Sequence, residues 1–191
     1  MIKFYRLDFK TKTSTLEPLT DSDDINLMDG FSYSSEYPTV NSVQFKIKHG
    51  KKFTDVISYS DNILFFSQKF IDFLSNYIKV ENCCYPINIE GAAEQYFCLY
   101  RLKSFSHFNK YEHDYYGEPI LFEDEGLKLP LLFTITEHPM LIVNEEFALD
   151  IEMQDFKNVD LQGRVYSYSR YEVEGWQKYW AIQKTRSNGG L

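Results

Sequence analysis

Two histidines and the acidic residues beside them are the first candidates for chemistry in this chain. His107 and His113 share a short segment with Glu112 and Asp114, and imidazole and carboxylate groups bind zinc or transfer protons. Their spacing fits neither an i, i+4 pair on a helix nor one face of a strand, so these groups could converge only through a loop. We therefore expect a surface loop here, with a metal or acid–base site as the alternative.

The three cysteines are the next candidates, and their spacing favours buried thiols over reactive ones. Cys83, Cys84 and Cys98 give an odd count without a C-x-x-C pair, which argues against a disulfide framework and a zinc knuckle. Cys98 beside His107 could suggest a thiol–imidazole nucleophile. However, Cys98 lies in the middle of an apolar predicted strand, where a small buried thiol is the ordinary expectation.

Motifs for phosphate, acyl transfer and calcium are not matched. Residues 50–52 (Gly-Lys-Lys) lack the upstream glycine and the Ser/Thr of a P-loop, and neither G-x-G-x-x-G nor G-x-S-x-G occurs. The acidic run from Asp21 places Ile25 at a ligand position and Asn26 where a calcium loop needs glycine. We therefore predict no catalytic residue, no metal and no cofactor, and we expect a protein that is not an enzyme, with an enzymatic domain as the alternative.

Acidic side chains interleaved with tyrosines form the remaining candidate site, a protein-binding surface. Tyrosine offers a large contact area and a hydroxyl group at low entropic cost, and carboxylates attract a basic partner. The alternative is that these segments are solvated loops. The candidate partner-binding residues are Asp21, Asp23 and Asp24 in a first segment, Glu112, Asp114, Tyr115, Tyr116 and Glu118 in a second, and Glu123, Asp124 and Glu125 in a third.

The charge of the chain narrows the class of partner. Among the 191 residues, 20 Lys and Arg stand against 28 Asp and Glu, which gives a formal net charge of −8. An acidic chain is a poor match for nucleic acid or for an anionic membrane, because both are bound through basic patches. Small molecules and basic proteins remain open as partners, and nothing in the composition determines the oligomeric state.

The N-terminus and the apolar runs give an expectation for cellular location. Residues 1–6 interleave charged with apolar side chains and lack the apolar stretch of a signal peptide. The longest apolar runs, such as 63–66 and 140–143, are far shorter than the ~18 residues of a membrane-spanning helix. We expect a soluble protein of a reducing cytoplasm.

Length and patterning predict a single domain over 1–191 that is rich in strands. Aromatic residues make up 17% of the chain and favour pleated surfaces. Residues 10–42 are predicted to form a long polar connection, and 167–191 a C-terminal extension. Alternating apolar and polar side chains at 43–48 are typical of a strand, with 53–58 as its predicted hairpin partner. Further strands are predicted at 2–9, 85–89, 95–105, 120–122, 131–135 and 159–166.

A short apolar strand followed by a capped helix is predicted twice. The first strand ends at Ser67 and the second at Asn144, and both side chains can accept from backbone N–H groups at a helix N-terminus. Chance similarity between two generic units is the alternative explanation. These elements predict an α+β fold with an antiparallel or mixed sheet and few helices. The offset of 77 positions between Ser67 and Asn144 also relates Leu64 to Leu141, Phe70 to Phe147 and Leu74 to Ile151.

The order of these segments resembles one bacterial family. Residues 55–58 (Asp-Val-Ile-Ser), 63–70 (Ile-Leu-Phe-Phe-Ser-Gln-Lys-Phe) and 140–147 (Met-Leu-Ile-Val-Asn-Glu-Glu-Phe) are similar to the immunity-protein domain family eleven of polymorphic-toxin systems, formerly a domain of unknown function. The resemblance covers roughly residues 43–166 and consists of fold-forming features. It implies a protein encoded beside a secreted toxin, which protects the producing cell by binding that toxin and has no catalytic residue.

Three hypotheses of function follow. The leading one is an immunity protein that neutralises a cognate toxin, with a basic toxin favoured, by forming a stoichiometric complex. The second is a small-molecule-binding or enzymatic α+β domain with its site in residues 106–118, and the third is a structural subunit of a homo-oligomer that uses its aromatic residues as an interface. A neighbouring reading frame for a secreted protein with a variable C-terminal domain would favour the first.

Overall fold

A computed structural model gives the fold and describes residues 3–10, 14–19, 33–34, 36, 43–50, 52–60, 63–105, 120–123, 129–135 and 140–169. Many strands and few α-helices in these ranges confirm the predicted α+β class. The helices are α1 (Gln68–Leu74) and α2 (Glu145–Met153), and a 3₁₀ turn covers Val80–Asn82. The strands are β1 (Lys3–Phe9), β2 (Thr15–Pro18), β3 (Gln44–His49), β4 (Val56–Ser60), β5 (Ile63–Ser67), β6 (Cys84–Ile89), β7 (Tyr96–Leu99), β8 (Ser104–Phe105), β9 (Ile120–Glu123), β10 (Leu132–Ile135), β11 (Leu141–Asn144) and β12 (Val159–Ser169).

The strands form a closed barrel and a second sheet. The barrel has the order β2-β3-β6-β7-β5-β4, and the pairing of Thr15 with Ser58 closes it between β2 and β4. The second sheet has six strands in the order β8-β10-β11-β1-β12-β9. Both sheets mix parallel and antiparallel neighbours, as the sequence predicts.

The two sheets repeat one arrangement. When its strands are listed from β2 in the direction of β4, the barrel has the order β2-β4-β5-β7-β6-β3. Each strand in this list corresponds to the strand at the same place in the second sheet, β8-β10-β11-β1-β12-β9. In both sheets the two outer pairings are parallel and the three inner pairings are antiparallel. The strand–cap–helix unit that the sequence predicts twice is therefore the centre of a larger repeat.

The residue register repeats along with the strand order. In the central hairpin of the barrel, Val56 lies opposite Phe66, and Leu132 lies opposite Val143 at the corresponding place in the second sheet. The other four interfaces show the same agreement, so the correspondence is not confined to one hairpin. The matching pairs are Thr15–Ser58 with Ser104–Thr134, Ser67–Tyr96 with Asn144–Phe4, Ile87–Tyr96 with Val165–Phe4, and Gln44–Asn88 with Ile120–Tyr166.

One strand enters the repeat from a different place in the chain. In the barrel, β7 follows β6 directly, whereas its counterpart in the second sheet is β1, which pairs with β11 on one side and β12 on the other. Phe4 and Leu7 of β1 are buried in the core. We call β2 to β7 with α1 the first half of the chain, and β8 to β12 with α2 and β1 the second half.

The two helices begin as predicted and pack through aromatic rings. The Ser67 hydroxyl accepts from the N–H of Phe70 at 3.2 Å, and the side-chain oxygen of Asn144 accepts from the N–H of Phe147 at 2.9 Å. Both phenylalanines are fully buried. The Phe147 ring of α2 stacks on the Phe73 ring of α1 with 5.7 Å between centroids. The repeated units therefore meet at a shared aromatic core.

The predicted hairpin between 43–48 and 53–58 is wrong. β3 pairs with β2 and β6, whereas β4 pairs with β5 and β2. The actual partner of both strands, β2, lies inside the segment 10–42 that the sequence predicts to be a polar connection, and its Leu16 is buried. Alternation of side chains identifies a strand and its buried face, but it carries no information on which strand lies beside it.

Two predicted boundaries also change. The strand predicted over 95–105 is divided at Arg101, where φ is 54°, into β7 of the barrel and β8 of the second sheet. Because this left-handed conformation breaks the extended backbone, the chain can pass from one sheet to the other. At the other end, β12 continues to Ser169, so the extension predicted from 167 begins inside a strand.

Candidate functional site

Most of the residues that the sequence predicts to bind a partner lie outside the described part of the chain. The exception is Glu123, the last residue of β9, which lies opposite Ser169 of β12. The histidine segment considered for metal or acid–base chemistry, 106–118, also lies outside it. The acidic and tyrosine sites stay predictions at Asp21, Asp23, Asp24, Glu112, Asp114, Tyr115, Tyr116, Glu118, Asp124 and Glu125.

The outward side of α2 is the best candidate surface among the described residues. Asn144 caps the helix, and Glu145 and Glu146 occupy its first turn, where negative charge suits the helix dipole. Phe147, Ala148 and Ile151 form the buried side. The residues spaced three or four positions apart on the other side share one face. We call this the outer face of α2; it consists of Glu146, Leu149, Asp150, Glu152 and Met153.

Two large apolar side chains lie next to each other on the outer face of α2. Leu149 is 55% exposed and Met153 is 74% exposed. Single exposed apolar residues are ordinary on a protein surface, but positions i and i+4 of a helix are neighbours. Leu149 and Met153 therefore form a continuous apolar spot surrounded by carboxylates.

Tyr77, which follows α1, extends this surface. Its hydroxyl donates to Oδ2 of Asp150 at 2.8 Å, and its ring meets the buried Phe147 ring with 4.9 Å between centroids. The hydrogen bond to Asp150 raises the pKa of Tyr77, and the charge of Glu146 acts in the same direction. This hydrogen bond holds the Asp150 carboxylate in one position.

The segment that carries the outer face is strongly acidic. Residues 145–156 contain five Asp and Glu but no Lys or Arg. Lys69 of α1 donates to the carbonyl oxygen of Asp155 at 2.9 Å, and its ammonium lies 4.9 Å from the centre of the Phe156 ring. This cation is thus held at the C-terminal end of α2, beyond the outer face. The surface suits a partner with basic side chains around an apolar patch.

A buried polar network beside α2 joins the two halves. Asp55 accepts from the Ser67 hydroxyl at 2.8 Å through Oδ1 and from the N–H of Lys157 at 2.7 Å through Oδ2. Asn158 has a left-handed backbone conformation with a φ of 71°. Its side chain donates to the carbonyl oxygen of Val56, the first residue of β4, at 2.7 Å and accepts from the N–H of Lys10 at 2.9 Å. Both carboxylate oxygens of Asp55 are occupied within the protein, so this network positions the turn after α2.

The thiols of the described chain are not activated. Cys83, Cys84 and Cys98 are free, as predicted. Burial raises the pKa of Cys98 to about 12 and that of Cys83 to about 11, and it raises the pKa of Cys84 as well. Nucleophilic attack and metal binding require the thiolate, whereas these three groups are protonated at neutral pH.

Two hollows in the described surface are open and lined by a mixture of polar and apolar side chains. Small-molecule sites are usually concave and mostly apolar, so neither hollow has the character of such a site. The hollow of about 360 Å³ adjoins the end of α2 and extends its acidic surface. Its lining includes Lys10, Glu152, Asp155 and Asp160, and the other hollow, of about 500 Å³, is lined by Ser34, Glu36, Arg101, Leu102 and Lys103.

The outer face of α2 was not predicted from the sequence, although a signal for it is present. Phe147, Ala148 and Ile151 form the buried side of α2, and no role was predicted for Leu149 and Met153. A nine-residue helix that packs on one side buries a single stripe. The two apolar residues outside that stripe were therefore candidates for a contact with another molecule.

No protein-family model matches the chain, and no curated protein matches it. Within the described ranges, no group of three or more His, Cys, Asp and Glu side chains is arranged to hold a metal ion. Among the described helices, none has the length and apolar character needed to cross a membrane.

Proposed function

We propose that this chain is an immunity protein that binds a cognate bacterial toxin in the cytoplasm and neutralises it as a stoichiometric complex. The resemblance of residues 55–58, 63–70 and 140–147 to an immunity-protein family supports the proposal. The observation that carries it is the outer face of α2, because that face offers an exposed apolar spot within a strongly acidic segment.

The negative charge is suited to a toxin with a basic surface. A toxin that acts on nucleic acid needs cationic side chains to hold the phosphate backbone, and an acidic protein that covers those side chains blocks access of the substrate. Opposite charges also speed the encounter and disfavour wrong partners. The net charge of −8 and the five carboxylates of residues 145–156 supply this complementarity.

Co-expression with the toxin domain encoded in the neighbouring reading frame tests the proposal. We expect growth to be rescued when the two proteins are present in near-equimolar amounts, because each toxin molecule must be occupied. The two proteins should elute together from gel filtration, with a mass by light scattering that fits one copy of each. The toxin domain expressed without this chain is the control for toxicity.

Two outcomes would contradict the proposal. Rescue at strongly substoichiometric amounts, with no complex on gel filtration, would show that the chain acts as an enzymatic antidote. Absence of both rescue and complex would show that the chain does not neutralise this toxin at all.

A further inference from the structure

The repeat provides an internal comparison for the outer face of α2. Since the caps Ser67 and Asn144 correspond, the exposed positions of the two helical segments also correspond, at the same offset of 77 positions. Among the exposed residues of the first segment are Lys69 and Asp72 of α1 and Asn76, which lies two residues beyond the end of that helix. Their counterparts in the second segment are Glu146, Leu149 and Met153.

The polar side chains of the first segment are held by local hydrogen bonds. Oδ1 of Asp72 accepts from Nε2 of Gln68 at 2.7 Å, and Nδ2 of Asn76 donates to the carbonyl oxygen of Phe73 at 3.0 Å. These are the ordinary contacts of a solvated helix and of the turn that follows it. The shared fold thus accepts polar residues at both positions and does not require apolar ones.

The apolar residues of the second segment therefore need a different explanation. Leu149 and Met153 contribute little to the core, because 55% and 74% of their surfaces remain exposed. We infer that the outer face of α2 is the docking surface for the toxin, with Leu149 and Met153 at its centre and Glu146, Asp150 and Glu152 around them. This inference rests on the proposed function and names the part of the molecule that performs it.

The partner surface that fits is an apolar patch surrounded by Lys and Arg side chains of a basic toxin domain. Apolar anchors at the centre of an interface supply most of the affinity, whereas charges at its edge mainly set the rate of association. The hydrogen bond from Tyr77 to Asp150 fixes one of these edge carboxylates before binding. A second copy of this acidic chain is disfavoured as the occupant, since like charges would face each other.

The first experiment transfers the residues of the first segment to the second. The double variant Leu149→Asp with Met153→Asn carries the residues that already stand at the corresponding places of the first segment, so the fold should tolerate them. Affinity for the toxin domain of the neighbouring reading frame is measured by calorimetry. We expect Kd to rise about 30-fold or more, as for loss of central anchors. Asp72→Ala, in the corresponding place of α1, is the control and should leave Kd unchanged.

A second experiment separates the charged edge from the apolar centre. Glu146→Lys with Glu152→Lys should slow association and flatten its dependence on salt, with a smaller effect on dissociation. Circular dichroism of each variant establishes that the fold is retained. Wild-type association and salt dependence in this variant would show that these carboxylates are not part of the docking surface.

The outcomes distinguish this inference from the proposed function. If the wild type binds the toxin domain and the folded Leu149→Asp, Met153→Asn variant binds equally well, the docking surface lies elsewhere and the proposed function stands. If the wild type does not bind, both fail. If the wild type is a dimer that the double variant converts to a monomer, the occupant is a second copy, and the assignment of a basic toxin to this face is wrong.

Discussion

The first half and the second half of the chain share a strand order but differ in how their edges end. In the first half, β2 and β3 are four and six residues long and pair with each other, which closes the barrel. Their counterparts β8 and β9 are two and four residues long and, in the described ranges, do not pair with each other. The pairing of β2 with β3 leaves no exposed strand edge in the barrel, although the strand order of the two halves is the same.

The two halves also differ in the sequence separation of their contacts. Tyr96 of the first half lies opposite Ser67, about 30 positions away, whereas its counterpart Phe4 lies opposite Asn144, about 140 positions away. Closing a longer loop costs more conformational entropy, and long-range pairing slows folding. We therefore expect the first half to form from local contacts, while the second half is completed only when β1 docks between β11 and β12.

Removing the counterpart rings Phe70 and Phe147 should have the largest effect on stability. Both side chains are fully buried, and truncating a buried Phe to Ala typically costs about 3–5 kcal/mol against a total stability of about 5–15 kcal/mol. We expect Phe70→Ala and Phe147→Ala each to lose most of their soluble yield and to melt well below the wild type. Expression tests and thermal denaturation followed by circular dichroism measure both effects.

Equal losses in the two variants would support equivalent roles in the repeat. Met153→Ala, on the exposed side of the same helix as Phe147, is the control and should melt like the wild type. A Phe147→Ala variant that melts within a degree or two of the wild type would show that the second helix is peripheral to the core.

Replacing Asp55 should have the next largest effect on stability. Its counterpart in the second half is the apolar residue Leu131. The N–H of Ser67 donates to the carbonyl of Asp55 at 2.9 Å, and the N–H of Asn144 donates to that of Leu131 at 3.0 Å. Asp55→Leu removes the acceptor of the Ser67 hydroxyl and of the Lys157 N–H. A hydrogen bond to a charged group contributes about 1.5–3 kcal/mol, so we expect the free energy of unfolding in urea to fall by about 3 kcal/mol.

Leu131→Ala, at the corresponding place in the second half, is the comparison variant. Its side chain makes no such polar network, so it should lose less stability than Asp55→Leu. A loss below about 1 kcal/mol for Asp55→Leu, in view of the values expected for such bonds, would mean that other contacts hold the halves together.

Local patterns in the sequence predicted the elements well because their signals lie in neighbouring residues. The apolar runs, the caps and the helices that begin after them are confirmed in both places, but α1 ends at Leu74, although the spacing of Tyr77 and Ile78 fits a longer helix. Strand partners were harder to predict, since pairing depends on residues far apart in the chain. The hairpin predicted for β3 failed for that reason, because its neighbour β2 lies in a segment of mostly polar residues.

The full repeat could not be predicted from a single offset between counterpart residues, because that offset changes along the chain. Val56 corresponds to Leu132 at an offset of 76 positions, whereas Ile87 corresponds to Val165 at an offset of 78. Turns of different length between the strands cause these shifts, and the N-terminal position of β1 breaks the order altogether. The outer face of α2 was missed because exposure depends on which side of the helix the sheets cover.

The two helix caps, Ser67 in the first half and Asn144 in the second, allow a comparison of the halves in which smaller losses of stability are expected. Replacing an N-cap residue by Ala costs about 1 kcal/mol on average, which is the loss we expect for Asn144→Ala. The Ser67 hydroxyl is fully buried and also donates to Asp55 at 2.8 Å, so Ser67→Ala should cost about 2 kcal/mol. Urea unfolding measures both values, and Asn144→Gly is the control, with an expected loss of only a few tenths of a kcal/mol.

A larger loss for Asn144→Ala than for Ser67→Ala would contradict this order. It would show that the hydrogen bond between Ser67 and Asp55 contributes no stability beyond that of the cap itself.

The smallest expected effect is a change in the free energy of unfolding with pH. It arises in the first half, where all three cysteines lie. Burial raises the pKa of Cys98 to about 12 from an ordinary value near 9. Below pH 9 the thiol is protonated in both the folded and the unfolded chain, and its contribution to stability is complete. As the pH rises from 9 towards 12, only the unfolded chain releases this proton, so the free energy of unfolding falls.

At pH 10 the loss from Cys98 should be on the order of 1 kcal/mol relative to pH 8. Cys98→Ala removes this contribution, so its stability should fall less between the two pH values than that of the wild type, even though the variant is less stable at both. Urea unfolding at pH 8 and pH 10 measures the difference. Cys84→Ala is the comparison variant, because that thiol is half-buried and should account for a smaller part of the alkaline loss. An unchanged pH dependence in Cys98→Ala, or alkylation of Cys98 in the native protein as fast as that of Cys84, would contradict a sealed thiol in the barrel.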